Sequence, residues 1–196
     1  MESCDEVVSR FFSSVEKSED GMWWSNACSA VSYPSDGSSL CFEVESGSYW
    51  FRHRNACIRA LVSTLQPSMD GVFCDIGGGN GFVAVALQND GYEVILVEPS
   101  AEGARNAKKR GVRNVVCSTT ENAGLRNESI SAMGAFDVIE HIEDAAGFVA
   151  QLRNALAPGG VMYATVPAFQ WIWSEEDDLA GHYRRYTLGS ISNLFS

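Results

Sequence analysis

Positive charge is what this chain has least of. Fourteen lysines and arginines stand against 25 aspartates and glutamates, a formal net charge of -11. A nucleic-acid backbone or an anionic membrane is therefore a poor main partner, because both select basic surfaces. A small-molecule or protein substrate fits better. Cysteine is present at six positions (Cys4, Cys28, Cys41, Cys57, Cys74, Cys117), but no Cys-x-x-Cys pair occurs. Cys74 and Cys117 fall in stretches that read as buried strands, so reduced thiols are expected, with neither zinc nor disulfides. No apolar run approaches the ~18 residues of a membrane span. The acidic start Met1-Glu2-Ser3-Cys4-Asp5 also lacks the basic and apolar regions of a secretory signal. A soluble, cytoplasmic protein is the expectation. With 196 residues, 45% of them apolar, one domain with a sizeable core is the default.

What the chain does have is glycine in one place. Val72-Phe73-Cys74-Asp75-Ile76-Gly77-Gly78-Gly79-Asn80-Gly81 is a short apolar run that breaks into glycines. Such a run suits a buried parallel strand, and the glycines let the backbone turn into a helix while approaching a ligand closely. A dinucleotide fingerprint needs a third glycine where Phe82 stands. A phosphate-binding P-loop needs Gly-Lys-Ser/Thr, and no lysine lies between Gly71 and Gly103. What remains is Asp-x-Gly-x-Gly-x-Gly at Asp75, Gly77, Gly79 and Gly81. It is followed by Glu98 at the end of the next apolar run, Val94-Ile95-Leu96-Val97, where a carboxylate can accept both hydroxyls of a ribose. The bland alternative is a glycine turn without a ligand.

These residues resemble the first two motifs of the class I S-adenosylmethionine-dependent methyltransferases. Two later stretches resemble the same family: Asp137-Val138-Ile139-Glu140-His141, similar to the Asp-x-x-Glu-His of its small-molecule branch, and Leu156-Ala157-Pro158-Gly159-Gly160 before the fifth strand. The resemblance covers roughly residues 48 to 190 and implies a Rossmann-like, doubly wound α/β fold with a mainly parallel sheet of order 3-2-1-4-5. Residues 1–47 are expected to form an N-terminal extension or cap, and 48–196 the cofactor-binding domain. The implied cofactor is S-adenosylmethionine, with S-adenosylhomocysteine as product, held by Asp75, Gly77, Gly78, Gly79, Gly81, Glu98, Pro99 and Phe136. Thr119 and Thr120 stand where relatives often carry an acid and a small residue facing the adenine. Tyr49-Trp50-Phe51-Arg52-His53-Arg54 resembles an aromatic-Arg entry helix, which implies that Arg54 reaches the methionine carboxylate. A solvated Arg52-His53-Arg54 face remains the alternative.

The implied reaction is methyl transfer to a small molecule, at oxygen rather than nitrogen. The Asp/Asn-Pro-Pro-aromatic motif of base-methylating relatives is absent. A hydroxyl nucleophile is helped by a base, for which His141 is the first candidate and His182 the second. His141 could equally be structural. Glu140, His141, Glu143 and Asp144 could hold a divalent ion, but acids at a helix start need no metal to explain them, and none is expected. The competing functions are a non-catalytic cofactor-binding module or partner subunit, and a nicotinamide oxidoreductase.

The first fifty residues are the least legible. Val7, Val8, Phe11, Phe12 and Val15 read as one short helix, and Trp23-Trp24 and Tyr33-Pro34 could cap the substrate side. Near the other end, Ala168–Trp173 and Gly181–Thr187 bracket the acid run Glu175-Glu176-Asp177-Asp178 and read as a substrate lid. The antiparallel strands that usually follow the fifth strand in this family are missing. Val161–Val166 is therefore expected to be a sheet edge, closed by a homodimer or by residues from the first fifty.

Overall fold

The computed structural model describes residues 4–25 and 37–196; Cys28, Tyr33-Pro34 and the side chain of Cys4 lie outside the described residues. The chain opens with α1 (Cys4–Phe11) and two short strands, β1 (Val15–Lys17) and β2 (Trp23–Ser25), and passes through α2 (Gly37–Glu45) and α3 (Tyr49–Thr64). A regular alternation follows: β3 (Val72–Ile76), α4 (Phe82–Asn89), β4 (Glu93–Val97), α5 (Ala101–Arg110), β5 (Asn114–Cys117), β6 (Ile130–Phe136), α6 (Ala145–Ala155) and β7 (Leu156–Thr165). It ends with α7 (Glu175–Ala180) and α8 (Leu188–Leu194).

The strands are apolar without a break because both faces of the sheet are covered. Alternate residues serve opposite layers. Phe73, Val94, Leu96, Val115 and Ala132 pack with Ile58, Val62, Leu87 and Ala107 of α3, α4 and α5. Cys74, Ile95, Val97, Val116 and Met133 pack with Val8 and Phe11 of α1 and Leu152 and Ala155 of α6. Helix ends carry their own signals. Ser100 accepts from the Gly103 amide at the start of α5, and Gly111 closes that helix with φ 103° behind Lys108, Lys109 and Arg110.

The sheet order is β1-β2-β5-β4-β3-β6-β7. Its parallel middle, β5-β4-β3-β6-β7, is the expected 3-2-1-4-5, and the order reverses at β3. Ligands of such sheets bind outside the carboxyl ends of the strands at that reversal, which here is where β3 enters the glycine turn.

Three details differ from the sequence reading. Val15 leaves the first helix and starts β1, because its partner is Ser25 across an antiparallel pair rather than the preceding turn. β7 begins at Leu156, not Val161: Ile130 pairs with Leu156 and Ala132 with Val161, so Pro158-Gly159-Gly160 is accommodated as an irregularity inside the strand. The first fifty residues were expected as one possible cover for the β7 edge, but among the described residues none of their strands pairs with β7. β2 runs parallel to β5, Trp23 opposite Val116 and Trp24 opposite Cys117, so those residues finish the opposite edge. Trp23 is thereby buried in the core beside α1.

Candidate active site

The glycine turn between β3 and α4 is held from below by the next strand. Gly77 and Gly78 donate their amides to the Val97 carbonyl (2.8 and 3.3 Å). Gly79 donates to Glu98 Oε2 at 2.9 Å, and the Ser100 amide to Glu98 Oε1 at 2.7 Å. Glu98 is thus fixed at the end of β4 with one amide on each oxygen and a lone pair of each still available. Burial pushes its carboxyl upward, and the two amides oppose that. Gly79 has φ 53°, and no atom lies within 4 Å of where a Cβ would be; the side of the turn facing the cleft is open. Gly81 has the opposite reason to be glycine. At φ 75°, its Cβ would stand 2.7 Å from Val112 and 2.9 Å from Ala107, so it lets α4 and α5 approach.

Behind the turn, Asp75 is 1% exposed, and its Oδ2 has no hydrogen-bond partner among the described residues. Burial pushes its carboxyl up to about 7; Arg54 pulls it down and Glu98 pushes it further up. Arg54 itself is turned into the cleft. Its Nε donates to Asp137 Oδ2 at 2.6 Å and its Nη2 to the Phe136 carbonyl at 3.1 Å. Asp137 also accepts from Thr165 Oγ1 at 3.0 Å. It holds a left-handed φ of 58° at the end of β6, a strained position for an aspartate that hydrogen bonds with Arg54 and Thr165 maintain.

Past the end of β6, Ile139–His141 forms a single 3-10 turn that carries Glu140 and His141. Glu140 is 1% exposed, Oε2 has no hydrogen-bond partner among the described residues, and burial pushes its carboxyl up to about 8. His141 interacts with the backbone of Gly181 and Ala180, and burial together with His182 pulls it down to about 4. The His182 ring lies edge-on to His141 with centroids 4.6 Å apart. Its Nδ1 is 2.8 Å from Asp177 Oδ1.

Asp177 comes from the acid run, yet it is 1% exposed. Arg185 grips it with Nε and Nη2, both at 2.8 Å, and holds its carboxyl far below the usual range. Ser174 and Asp177 cap α7 reciprocally. The flanking loops are joined: Phe169 N donates to the Tyr186 carbonyl at 2.7 Å, while Phe169, Trp171 and Tyr183 stay exposed.

One cleft of about 1830 Å³ connects these groups. Arg54, Asp75, Gly77, Gly78, Gly79, Glu98, Pro99, Thr119, Thr120, Phe136, His141 and His182 all line it; Gly81 does not. Thr119 and Thr120 have local partners as well, Thr119 Oγ1 accepting from the Asn122 amide and Thr120 Oγ1 reaching Gln151. The sequence reading had given no role to Asp177, Arg185 or Glu45 of α2, which also lines the cleft. Of these, only Asp177 left a signal, as the fourth residue of the Ser174-x-x-Asp177 capping box. Glu140, His141 and His182 each offer a ligand atom within 4.8 Å of the others, among the described residues. That spacing would admit a cation. However, the two rings already engage Asp177 and the α7 end.

Asp75 and Glu140 give the fold a pH signature. Both carboxyls bind protons more tightly in the folded chain than in an unfolded one, where ordinary values near ~4 apply. Their contribution to stability is full below about pH 4 and is lost as the pH rises through about 7 to 8. Thermal unfolding should therefore give a lower Tm at roughly pH 8.5 than at roughly pH 6. Asp75→Asn combined with Glu140→Gln should flatten the difference; an unchanged slope in the double variant would refute the assignment.

A Methyltransferase domain model matches residues 50–196. Among curated proteins, a ubiquinone biosynthesis O-methyltransferase of Nitrobacter winogradskyi is 31% identical over 102 residues, 50% of this chain and 39% of that protein. The mitochondrial enzyme of the same name from Rattus norvegicus is 27% identical over 100 residues, 46% of this chain and 29% of that protein. The chain thus spans less than half the length of these relatives. Among solved structures, a Haloferax volcanii methyltransferase in complex with its Trm112 activator superposes with a TM-score of 0.70 at 17% identity, covering 85% of this chain and 76% of that one. A Haemonchus contortus phosphoethanolamine N-methyltransferase bound to S-adenosylhomocysteine gives 0.64 at 20% identity, covering 82% and 40%. With the family model spanning most of the chain and the glycine turn, Glu98 and the strand order in the family's arrangement, this chain belongs to the class I S-adenosylmethionine-dependent methyltransferases.

Proposed function

We propose that the protein methylates a hydroxyl of a small molecule with S-adenosylmethionine as donor. The observation that carries this reading is one cleft lined both by the glycine turn with Glu98 and by the His141–His182 pair. The residues fit the cofactor: Gly79 leaves space where a side chain would intrude, Glu98 is preset with an acceptor lone pair on each oxygen, and the Asp75 Oδ2 lacks a partner. When bound, the cofactor supplies an activated methyl group. The chain aligns the acceptor and excludes water, and orientation of this kind is worth on the order of 7 to 11 kcal/mol.

We favour oxygen over nitrogen because two histidines, candidate bases, line the same cleft as the cofactor wall. A neutral amine is already nucleophilic, whereas a hydroxyl gains from losing its proton as it reacts. At neutral pH His141 is uncharged, held near a value of about 4, so that ring does not repel a cationic donor. The curated relatives named above are O-methyltransferases. The test is calorimetry with S-adenosylmethionine, S-adenosylhomocysteine and NAD, followed by incubation with S-adenosylmethionine and catechol and detection of S-adenosylhomocysteine. Binding of the first two and not NAD, with product formed only when the phenol is present, is expected. Preference for NAD would overturn the reading, and cofactor binding without any turnover across a panel of phenols and alcohols would replace it with a binding module.

A further inference from the structure

The acid run of α7 lies between the two loops read as a substrate lid, and one of its four carboxylates, Asp177, points inward and ends on a histidine. We propose that His182 is the group that takes the proton of the methylated hydroxyl, and that Asp177, fixed by Arg185, is the residue that positions it. This assignment rests on the methyl-transfer reading above.

The geometry carries the assignment in three steps. A carboxylate only accepts, so the 2.8 Å contact between Asp177 Oδ1 and His182 Nδ1 places the proton on Nδ1 and leaves the lone pair on Nε2. Asp177 cannot turn away. Arg185 binds both of its oxygens at 2.8 Å, and the Ser174 amide donates to Oδ2 at 2.9 Å. The imidazole is also bounded by two rings, His141 at 4.6 Å and Trp173 at 6.4 Å between centroids, both edge-on.

The segment is tied to the 3-10 turn that carries His141, since Tyr183 donates its amide to the Glu140 carbonyl at 2.8 Å. His141, the other candidate, lies against the backbone of Ala180 and Gly181 at the end of α7, and its Nδ1 is buried. It holds the segment down rather than offering a base. In the reaction, His182 Nε2 receives the hydroxyl proton while the acceptor oxygen bonds to the methyl carbon and the carbon–sulfur electron pair stays on sulfur. Asp177 offsets the imidazolium charge so formed, and the proton then leaves to solvent.

The test uses the full chain with S-adenosylmethionine and catechol. Asp177→Asn and His182→Gln should each lower kcat by about 100-fold or more, with the catechol KM and the calorimetric affinity for S-adenosylhomocysteine nearly unchanged. His182→Gln leaves the Asp177–Arg185 pair intact, so it serves if Asp177→Asn does not fold. His141→Gln should cost less than about tenfold. Imidazole nitrogen NMR should find His182 protonated at Nδ1 in the wild type and shifted toward Nε2 in Asp177→Asn, a reading that needs no acceptor. An Nε2-protonated wild type, an unchanged kcat in His182→Gln, or activity removed by a chelator and restored by zinc would each overturn the assignment. Failure of the wild type to bind S-adenosylhomocysteine would instead overturn the methyl-transfer reading itself.

Discussion

Glu98→Ala is expected to weaken S-adenosylmethionine binding by about 1.5 to 3 kcal/mol, roughly ten- to a hundredfold. The carboxylate has two duties. We propose that it accepts the ribose hydroxyls, and it already accepts the Gly79 and Ser100 amides. Alanine removes both, leaving the glycine turn without its prop. Glu98→Gln separates the two effects. It keeps the shape but turns an NH2 group toward one of the two amides, donor against donor, so it should be nearly as harmful as alanine despite conserving volume. Calorimetry with S-adenosylhomocysteine is the check, and equal affinity for wild type and both variants would remove Glu98 from the site.

The largest effect on stability is expected at Arg110. Its Nη1 is 2.7 Å from Glu45 Oε2, each side chain is 10% exposed, and its guanidinium lies over the rings of Phe42 and Phe82 at 4.8 and 5.0 Å. Arg110→Ala leaves a buried carboxylate uncompensated, which costs about 3 to 5 kcal/mol. Replacing Glu45 with Gln as well should recover a large part of this. The same pair reaches the glycine turn: Glu45 Oε1 accepts from Asn80 at 3.4 Å, and Asn80 accepts from Asn106 at 3.0 Å. Urea unfolding of the single and double variants would measure the coupling. Additive costs would show that the pair does not act as a unit.

The parts of this protein legible in its sequence are those whose causes are local. β3, β4 and β5 read as apolar runs because both faces are covered, and the glycine turn reads because Gly79 and Gly81 satisfy requirements of backbone angle and space at their own positions. Glu98 followed from its place at the end of a strand. What could not be read depends on residues far apart in the chain. Arg54 finds Asp137 eighty-three positions later, so nothing near Arg54 indicates whether it faces solvent or the cleft. β1 and β2 have three residues each, and the exposed Glu16 and Lys17 blur any alternation. In the acid run, charge argues for solvent at all four positions. Only the capping geometry of Ser174 turns Asp177 inward, where Arg185 meets it.

The parallel pairing of β2 with β5 also sets a timetable for synthesis. Trp23 and Trp24 leave the ribosome early, but their partners Val116 and Cys117 follow only after the intervening stretch has been translated. At about 5 to 20 residues per second that is on the order of five to twenty seconds. For that interval the two tryptophans and the apolar face of α1 have no sheet to rest on, and a nascent chain displaying them is a natural client for chaperones that bind exposed aromatic segments. Docking of the hairpin is then a late, long-range closing step. A variant that weakens it should show its defect first as aggregation during expression, before any loss of stability in the finished protein.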